Sequence, residues 1–191
     1  YFSTMYGQSI HKPDPEKPVI FTMWKKAGPE PMLEDEFQKL IPYDGRPVSF
    51  DLLLGKMVGH GGDIRVTLLR NPIQIVRGKD KFDCQVTIET LDGGLIEHND
   101  RFPYLVPENG YQPSLVFSLS KADPNWSPSI VRDFYFKGRG GKIYGRFRFD
   151  LLADYDRKEG TILNFKVYLN PAGSRILEWD PTRRILKEDL D

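Results

Sequence analysis

Cysteine is nearly absent from this chain: Cys84 is the only one among 191 residues. A single thiol forms no internal disulfide, and no cysteine pair is present to hold zinc. The sequence also lacks a run of about 18 apolar residues, the length that a membrane-spanning helix requires. The 27 basic and 27 acidic residues balance, so net charge steers the protein toward neither nucleic acid nor membrane, although local patches remain possible.

Recognised catalytic and nucleotide-binding motifs are missing as well. The sequence contains no G-x-S-x-G, no H-E-x-x-H and no G-x-G-x-x-G pattern. The glycine-rich stretch 138–141 joins two predicted strands, so no helix N-terminus follows it to hold an anion. We therefore predict no cofactor, no metal site and no nucleic-acid partner.

Aromatic residues, glycine and proline are abundant by contrast. Aromatic residues form 13% of the chain, beside 17 glycines and 15 prolines, which favours short strands and turns over helices. The clearest pattern is a three-stranded meander over 130–136, 143–151 and 162–169, with polar turns at 137–142 and 154–160. We predict an all-β fold, an antiparallel β-sandwich of jelly-roll or immunoglobulin-like type with nine or ten strands and one or two short helices.

Strand alternation assigns the meander two faces. The apolar face carries Phe147, Phe149, Leu163, Phe165, Val167 and Leu169, and it is predicted to form the core. The opposite face carries Tyr144, Arg146, Arg148, Lys166 and Tyr168. Pairing Phe136 with Ile143 would bring Tyr135 opposite Tyr144 and Asp133 opposite Arg146. Pairing Phe149 with Phe165 would bring Arg146 opposite Tyr168.

The predicted organisation is one domain with two extensions. Residues 1–18 resemble an extended, proline-spaced linker, residues 19–178 form the sandwich, and residues 179–191 form a helix or tail. Val19–Lys25 is a predicted strand. Residues 32–41 are a predicted helix, because Leu33, Phe37, Leu40 and Ile41 recur at helical spacing. Asp92-Gly93-Gly94 is typical of a β-hairpin turn, and Asp180-Pro181 of a helix start.

The outer face of the meander offers the only candidate binding surface. Tyr135, Tyr144 and Tyr168 are expected near one another, ringed by Arg146, Arg148 and Lys166. Three interpretations remain open: cross-strand pairs that stabilise the sheet, a face covered by another element or subunit, or an aromatic platform for sugar rings. Trp126, in a loop, either stacks on a ligand or caps the end of the sandwich.

Other clusters have simpler explanations. His60 and Asp63 share a predicted loop, and a metal site there would need His98 or Asp100 as well. The stretch 154–160 begins like a calcium loop but lacks its ligand spacing. Cys84 alternates with apolar residues, so we expect a buried thiol. A sandwich glycosidase would need two converging acids, and no such pair is placed by the sequence.

The sequence therefore favours a non-enzymatic interaction module that binds carbohydrate or a protein partner. The alternatives are a polysaccharide-active enzyme of sandwich fold and a structural domain of a larger assembly. The linker-like start, and a first residue that is Tyr1 instead of Met, favour a tethered location outside the cytoplasm, periplasmic or secreted, with a cytoplasmic location possible. The oligomeric state and the ligand stay open.

Overall fold

The computed structural model describes residues 14, 16–17, 23, 28–157 and 160–190. Within them the chain forms eleven strands and three 3₁₀ turns, and no α-helix. The strands are β1 (Met32–Ile41), β2 (Val48–Asp51), β3 (Lys56–Val58), β4 (Ile64–Asn71), β5 (Asp83–Thr90), β6 (Gly94–His98), β7 (Ser114–Leu119), β8 (Ser129–Gly138), β9 (Ile143–Arg157), β10 (Gly160–Asn170) and β11 (Arg184–Ile185). The turns are Arg139–Gly141, Pro181–Arg183 and Lys187–Leu190.

Two sheets pack face to face, which confirms the predicted all-β sandwich. The six-stranded sheet has the order β11-β1-β10-β9-β8-β6, and the five-stranded sheet has the order β3-β2-β4-β5-β7. Every pairing is antiparallel except the short one between β1 and β11. None of the helical turns in the described part of the chain has the length and hydrophobicity that crossing a bilayer requires.

The core lies between the sheets and is rich in phenylalanine. Phe165 from β10 contacts Phe149 at 5.7 Å between ring centroids and reaches across to Phe50 of the other sheet at 5.2 Å. The predicted core positions of the meander are all buried: Phe147, Phe149, Leu163, Phe165, Val167 and Leu169. Alternation along β9 and β10 thus sorts side chains as predicted, because one face of each strand packs against the second sheet.

One of the two strand pairings in the meander has the predicted register, and the other does not. Phe149 faces Phe165 and Arg146 faces Tyr168, which confirms the β9–β10 pairing. The predicted β8–β9 pairing is wrong by two residues, because pairing continues to Gly138 and Ile143 and leaves a shorter turn. Tyr135 therefore faces Arg146, and Asp133 faces Arg148. A shift of two residues keeps each side chain on its predicted face.

The predicted helix over residues 32–41 is wrong, since these residues form β1. Strand β1 pairs with β10 along nearly its full length, with Phe37 opposite Phe165. Its odd-numbered residues face the core, and Glu34, Glu36 and Gln38 lie on the outer face. Pairing with a long, buried strand overrides a helical spacing of four apolar residues.

Three local predictions are also corrected. Asp92-Gly93-Gly94 does not close a hairpin, because β5 pairs with β7 in one sheet and β6 pairs with β8 in the other. The turn predicted from residue 154 starts later, because β9 continues to Arg157. The predicted C-terminal helix is replaced by two 3₁₀ turns with β11 between them. Asp180 caps the first turn as predicted, by accepting a hydrogen bond from Thr182 N. The linker 1–18 and the strand 19–25 lie largely outside the described residues.

A second layer covers part of the outer face of the six-stranded sheet. Segment 102–113, in the connection between β6 and β7, and segment 174–179, after β10, lie together across it. Val106 N donates to Arg175 O at 2.9 Å, and Leu177 N donates to Tyr104 O at 2.7 Å. A small cluster of buried residues fills the space beneath: Met32, Val106, Tyr135 and Leu177. The uncovered remainder of that face forms the candidate site.

Candidate functional site

Two rows of facing residues cross the outer face of the six-stranded sheet, and the second layer covers the first residue of the second row. In the first row His98 of β6, Asp133 of β8, Arg148 of β9 and Lys166 of β10 stand side by side. In the second, Tyr135, Arg146, Tyr168 and Glu34 follow one another across β8, β9, β10 and β1. Strand pairing thus gathers residues that are far apart in the chain into one patch.

A recess of about 260 Å³ lies between the two rows. It is lined by His98, Asp133, Arg146, Phe147, Arg148, Lys166 and Tyr168. We call this the cationic recess. Four of the seven predicted site residues lie here together: Arg146, Arg148, Lys166 and Tyr168. The sequence offers His98 only as a partner for a metal site, and its place in the wall of the recess is a finding of the structure.

Arg146 is the most distinctive group in the recess. Its guanidinium carbon lies 3.9 Å from the centre of the Tyr168 ring, a cation–π contact. Its Nε atom is buried and has no hydrogen-bond partner among the described residues. Burial lowers the pKa of Arg146 from its usual value. Within the described residues Arg146 forms no direct ion pair with a carboxylate, and the charges of Asp133 and Glu34 act on it only from a distance.

The neighbouring carboxylates are engaged elsewhere. Asp133 accepts a hydrogen bond from Arg148 Nη1 at 3.4 Å. Glu34 Oε1 accepts a hydrogen bond from the Tyr168 hydroxyl at 2.8 Å and lies 3.8 Å from Lys166 Nζ. Glu36 of β1 stands opposite Lys166 in the same row. Arg146 is thus the recess cation that has no direct ion pair with a carboxylate among the described residues. An anionic ligand group would be attracted to this position.

Tyr135 does not belong to an open aromatic surface. The residue is only 3% exposed, beneath the second layer. Its hydroxyl donates to Asp100 Oδ2 at 2.7 Å, and its ring stacks on His98 with centroids 3.9 Å apart. Burial, together with the Asp100 hydrogen bond, raises the pKa of Tyr135. Tyr135, a predicted ligand-binding residue, is therefore covered by segment 102–113, which agrees with the interpretation that another element covers this part of the face.

Tyr144 and Trp126 lie outside the recess. Tyr144 is partly buried and packs against the small cluster under the second layer. Trp126 lies in the loop before β8, where its Nε1 donates to Phe82 O at 2.9 Å and its ring meets the Phe82 ring edge-on at 5.1 Å. Of the two interpretations of Trp126, a stacking residue for a ligand or a cap on the end of the sandwich, the structure agrees with the cap. This geometry gives no support for a ligand contact at Trp126 or at Tyr144.

His98 forms the side wall of the recess. Its Nδ1 accepts a hydrogen bond from Asp100 N at 3.2 Å, so the neutral ring carries its proton on Nε2. Burial lowers the pKa of His98, and this outweighs the opposing influence of Asp100 and Asp133. His98 therefore contributes a neutral hydrogen-bonding wall near neutral pH.

The other polar clusters have structural roles. Asp63 is buried and accepts hydrogen bonds from Leu52 N at 2.8 Å and Arg139 Nε at 2.8 Å. Cys84 is buried, as predicted, and burial raises the pKa of its thiol to about 12. Within the described residues no group of three or more His, Cys, Asp or Glu side chains is arranged to hold a metal ion.

Comparisons with known proteins return no match. No family model, no curated protein and no solved structure corresponds to this chain. The geometry and charge of the residues described above are therefore the basis for assigning a function.

Proposed function

We propose that this protein is a non-enzymatic interaction module that binds an acidic carbohydrate through the cationic recess, outside the cytoplasm. The observation that carries the proposal is Arg146, a partly buried cation whose Nε lacks a partner and whose nearest carboxylates are bound to other groups. A ligand carboxylate or sulfate held in the recess would pair with the Arg146 guanidinium.

The mode of recognition differs from a stacking platform. One face of the Tyr168 ring carries the Arg146 guanidinium, and the Trp179 ring meets Tyr168 edge-on at 5.5 Å. Stacking of a sugar ring on Tyr168 is thereby restricted. Charge and hydrogen bonds from Arg146, Arg148 and Lys166 would instead select the ligand.

The size of the recess indicates how much of a ligand it holds. Its volume of about 260 Å³ lies just below the range of roughly 300–1,000 Å³ that is usual for small-molecule sites. The recess suits one acidic unit of a longer chain, with neighbouring units lying across the exposed Arg148 and Lys166.

The enzymatic alternative has less support from this geometry. Glycoside hydrolysis requires two carboxyl groups flanking the scissile bond. Asp133 is the only acidic residue among the described residues that line the recess, and it is held by Arg148. A second candidate, an acidic segment of a protein partner, would use the same cations and is separated from the first by the experiment below.

Isothermal titration with neutral and acidic oligosaccharides tests the proposal. We expect oligogalacturonate or a sulfated oligosaccharide to bind, and neutral cello-oligosaccharides to bind at least about tenfold more weakly, because only the acidic ligands neutralise Arg146. Arg148→Ala combined with Lys166→Ala should lower the affinity at least about tenfold and leave Tm unchanged, since both side chains are substantially exposed.

Arg46→Ala is the matched control, because Arg46 is an exposed cation away from the recess. The proposal fails if acidic and neutral ligands bind equally, or if the control loses as much affinity as the double variant. Binding of an oligoglutamate peptide with no binding of any acidic oligosaccharide would assign the recess to a protein partner instead.

A further inference from the structure

The connection between β4 and β5 presents a second surface that the recess does not involve. We call residues 72–82 the basic loop. It exposes two aliphatic side chains, with Ile73 49% exposed and Val76 54% exposed. The two side chains lie within four residues of each other, so the basic loop carries two exposed aliphatic groups close together in the chain.

The basic loop is held firmly from inside the sandwich. The buried Arg70 donates from Nε to Ile73 O at 3.1 Å, and from Nη1 to Ala153 O at 3.0 Å. Ile75 packs against the main core. Ile73 and Val76 flank this anchored residue, so their outward orientation is built into the fold.

The tip of the basic loop is closed by its own acidic residue. Asp80 Oδ2 accepts a hydrogen bond from Val76 N at 2.7 Å. The amide groups of Lys79 and Asp80 donate to Val76 O at 3.0 and 3.1 Å. The carboxylate of Asp80 is thus used to hold the turn together.

Three cations follow the two aliphatic residues along the basic loop. Arg77, Lys79 and Lys81 are all exposed, and Asp80 is the one acid within residues 72–82. Arg77 is positioned by the Tyr155 ring, with its guanidinium carbon 4.8 Å from the ring centre. The chain as a whole is neutral, so this is a local concentration of positive charge.

We propose that the basic loop docks on an anionic lipid surface. Ile73 and Val76 would enter the boundary between headgroups and acyl chains, while Arg77, Lys79 and Lys81 contact the anionic headgroups. Membrane affinity of such surfaces grows with the apolar area inserted and with each cation near the lipid charge. The aliphatic side chains of the basic loop match the apolar interior of a bilayer, and its cations match anionic headgroups.

Co-sedimentation with vesicles tests the proposal. We expect the protein to partition onto phosphatidylcholine vesicles that contain phosphatidylserine, and only weakly onto pure phosphatidylcholine, with binding reduced by salt. Ile73→Asp combined with Val76→Asp should lower partitioning at least about tenfold, because insertion is lost and like charge is added. Lys79→Glu combined with Lys81→Glu should lower it as well.

Val116→Asp is the matched control, because Val116 is 55% exposed but lies on β7. The proposal is overturned if the protein does not partition onto anionic vesicles, or if the loop variants partition as the unmodified protein does. Loss of partitioning in Arg148→Ala with Lys166→Ala, and not in the loop variants, would place the lipid charge in the recess. If Ile73→Asp with Val76→Asp lowers Tm, the double variant Ile73→Ser with Val76→Ser replaces it in the partitioning measurement.

Discussion

Asp63 shows how one buried carboxylate can hold a turn in a demanding conformation. Its side chain is fully buried beside Arg139, which adopts a φ of 51° in the left-handed region. Arg139 also contacts Asp51 at 3.1 Å, and its hydrogen bonds to Asp63 are the first cause of its raised pKa. A non-glycine residue in this conformation is disfavoured by about 1–2 kcal/mol, so the ion pairs offset a local strain.

Asp63→Asn should lower the free energy of unfolding by about 2–3 kcal/mol. The amide retains one acceptor oxygen but places a donor against either Leu52 N–H or Arg139, and both are donors. Urea denaturation measures the change. Asp133→Asn, which alters an exposed pair with Arg148, serves as the comparison and should cost less than about 1 kcal/mol. Equal effects of the two substitutions would contradict the role given to Asp63.

His98 should make stability depend on pH. Burial lowers its pKa in the folded state below the unfolded value of about 6.5, so both states are neutral above that pH. As the pH falls below about 6.5, the unfolded chain gains a proton before the folded protein does, and stability decreases. The decrease ends once the pH lies below the folded pKa.

The comparison with His98→Phe isolates this contribution. Phenylalanine keeps an aromatic ring against Tyr135 and does not titrate. Between pH 7.5 and 5.5, the unmodified protein should lose more unfolding free energy than the variant. The other two histidines are present in both proteins, so their contributions to the pH dependence cancel when the two losses of unfolding free energy are subtracted. An equal loss in both proteins, or a larger one in the variant, would show that His98 is not disfavoured in its charged form.

At the scale of elements, the C-terminal 3₁₀ turn Lys187–Leu190 closes an edge of the sandwich. Lys187 Nζ forms an ion pair with Asp35 Oδ2 on β1, and Leu190 packs against the main core. Gly55 lies beneath the pair, with its position for a Cβ occupied by the Asp35 and Lys187 side chains. The chain end thus fastens β1 near the turn between β2 and β3.

Lys187→Ala should lower the free energy of unfolding by about 1–2 kcal/mol, because it leaves the largely buried Asp35 carboxylate without its cation. Thermal denaturation measures the loss. Lys121→Ala removes an exposed, solvent-screened pair with Asp83 and should lower the stability much less than Lys187→Ala does. Adding Asp35→Asn to Lys187→Ala should recover part of the loss, and its failure to do so would argue against an unpaired charge as the cause.

Individual strands differ in how well the sequence predicts them. The meander strands were predictable because their apolar residues alternate over whole strands and face one continuous core. Strand β1 was not, since Leu33, Phe37, Leu40 and Ile41 fit a helix equally well until the pairing with β10 is known. Local pattern carries no information about which distant strand is available.

At the scale of the whole molecule, long-range pairing decides what the local signals leave open. The turn at residues 92–94 passes from one sheet to the other because β5 and β6 each find a partner elsewhere in the chain. Likewise, strand alternation and one correct register are enough to predict that four residues of the recess lie together: Arg146, Arg148, Lys166 and Tyr168. The sequence does not predict that Tyr135 is covered, because segment 102–113 is irregular and has no periodic signal.

Strands β9 and β10 contribute every second residue to the interior and the intervening residues to the recess. Arg146 and Arg148 flank the buried Phe147, and Lys166 and Tyr168 flank the buried Val167. The exposed recess side chains Arg148 and Lys166 can therefore be exchanged while the packed interior stays the same. This fold offers a natural starting scaffold for retargeting: varying positions 148 and 166 in a library would sample new ligand preferences on one unchanged framework.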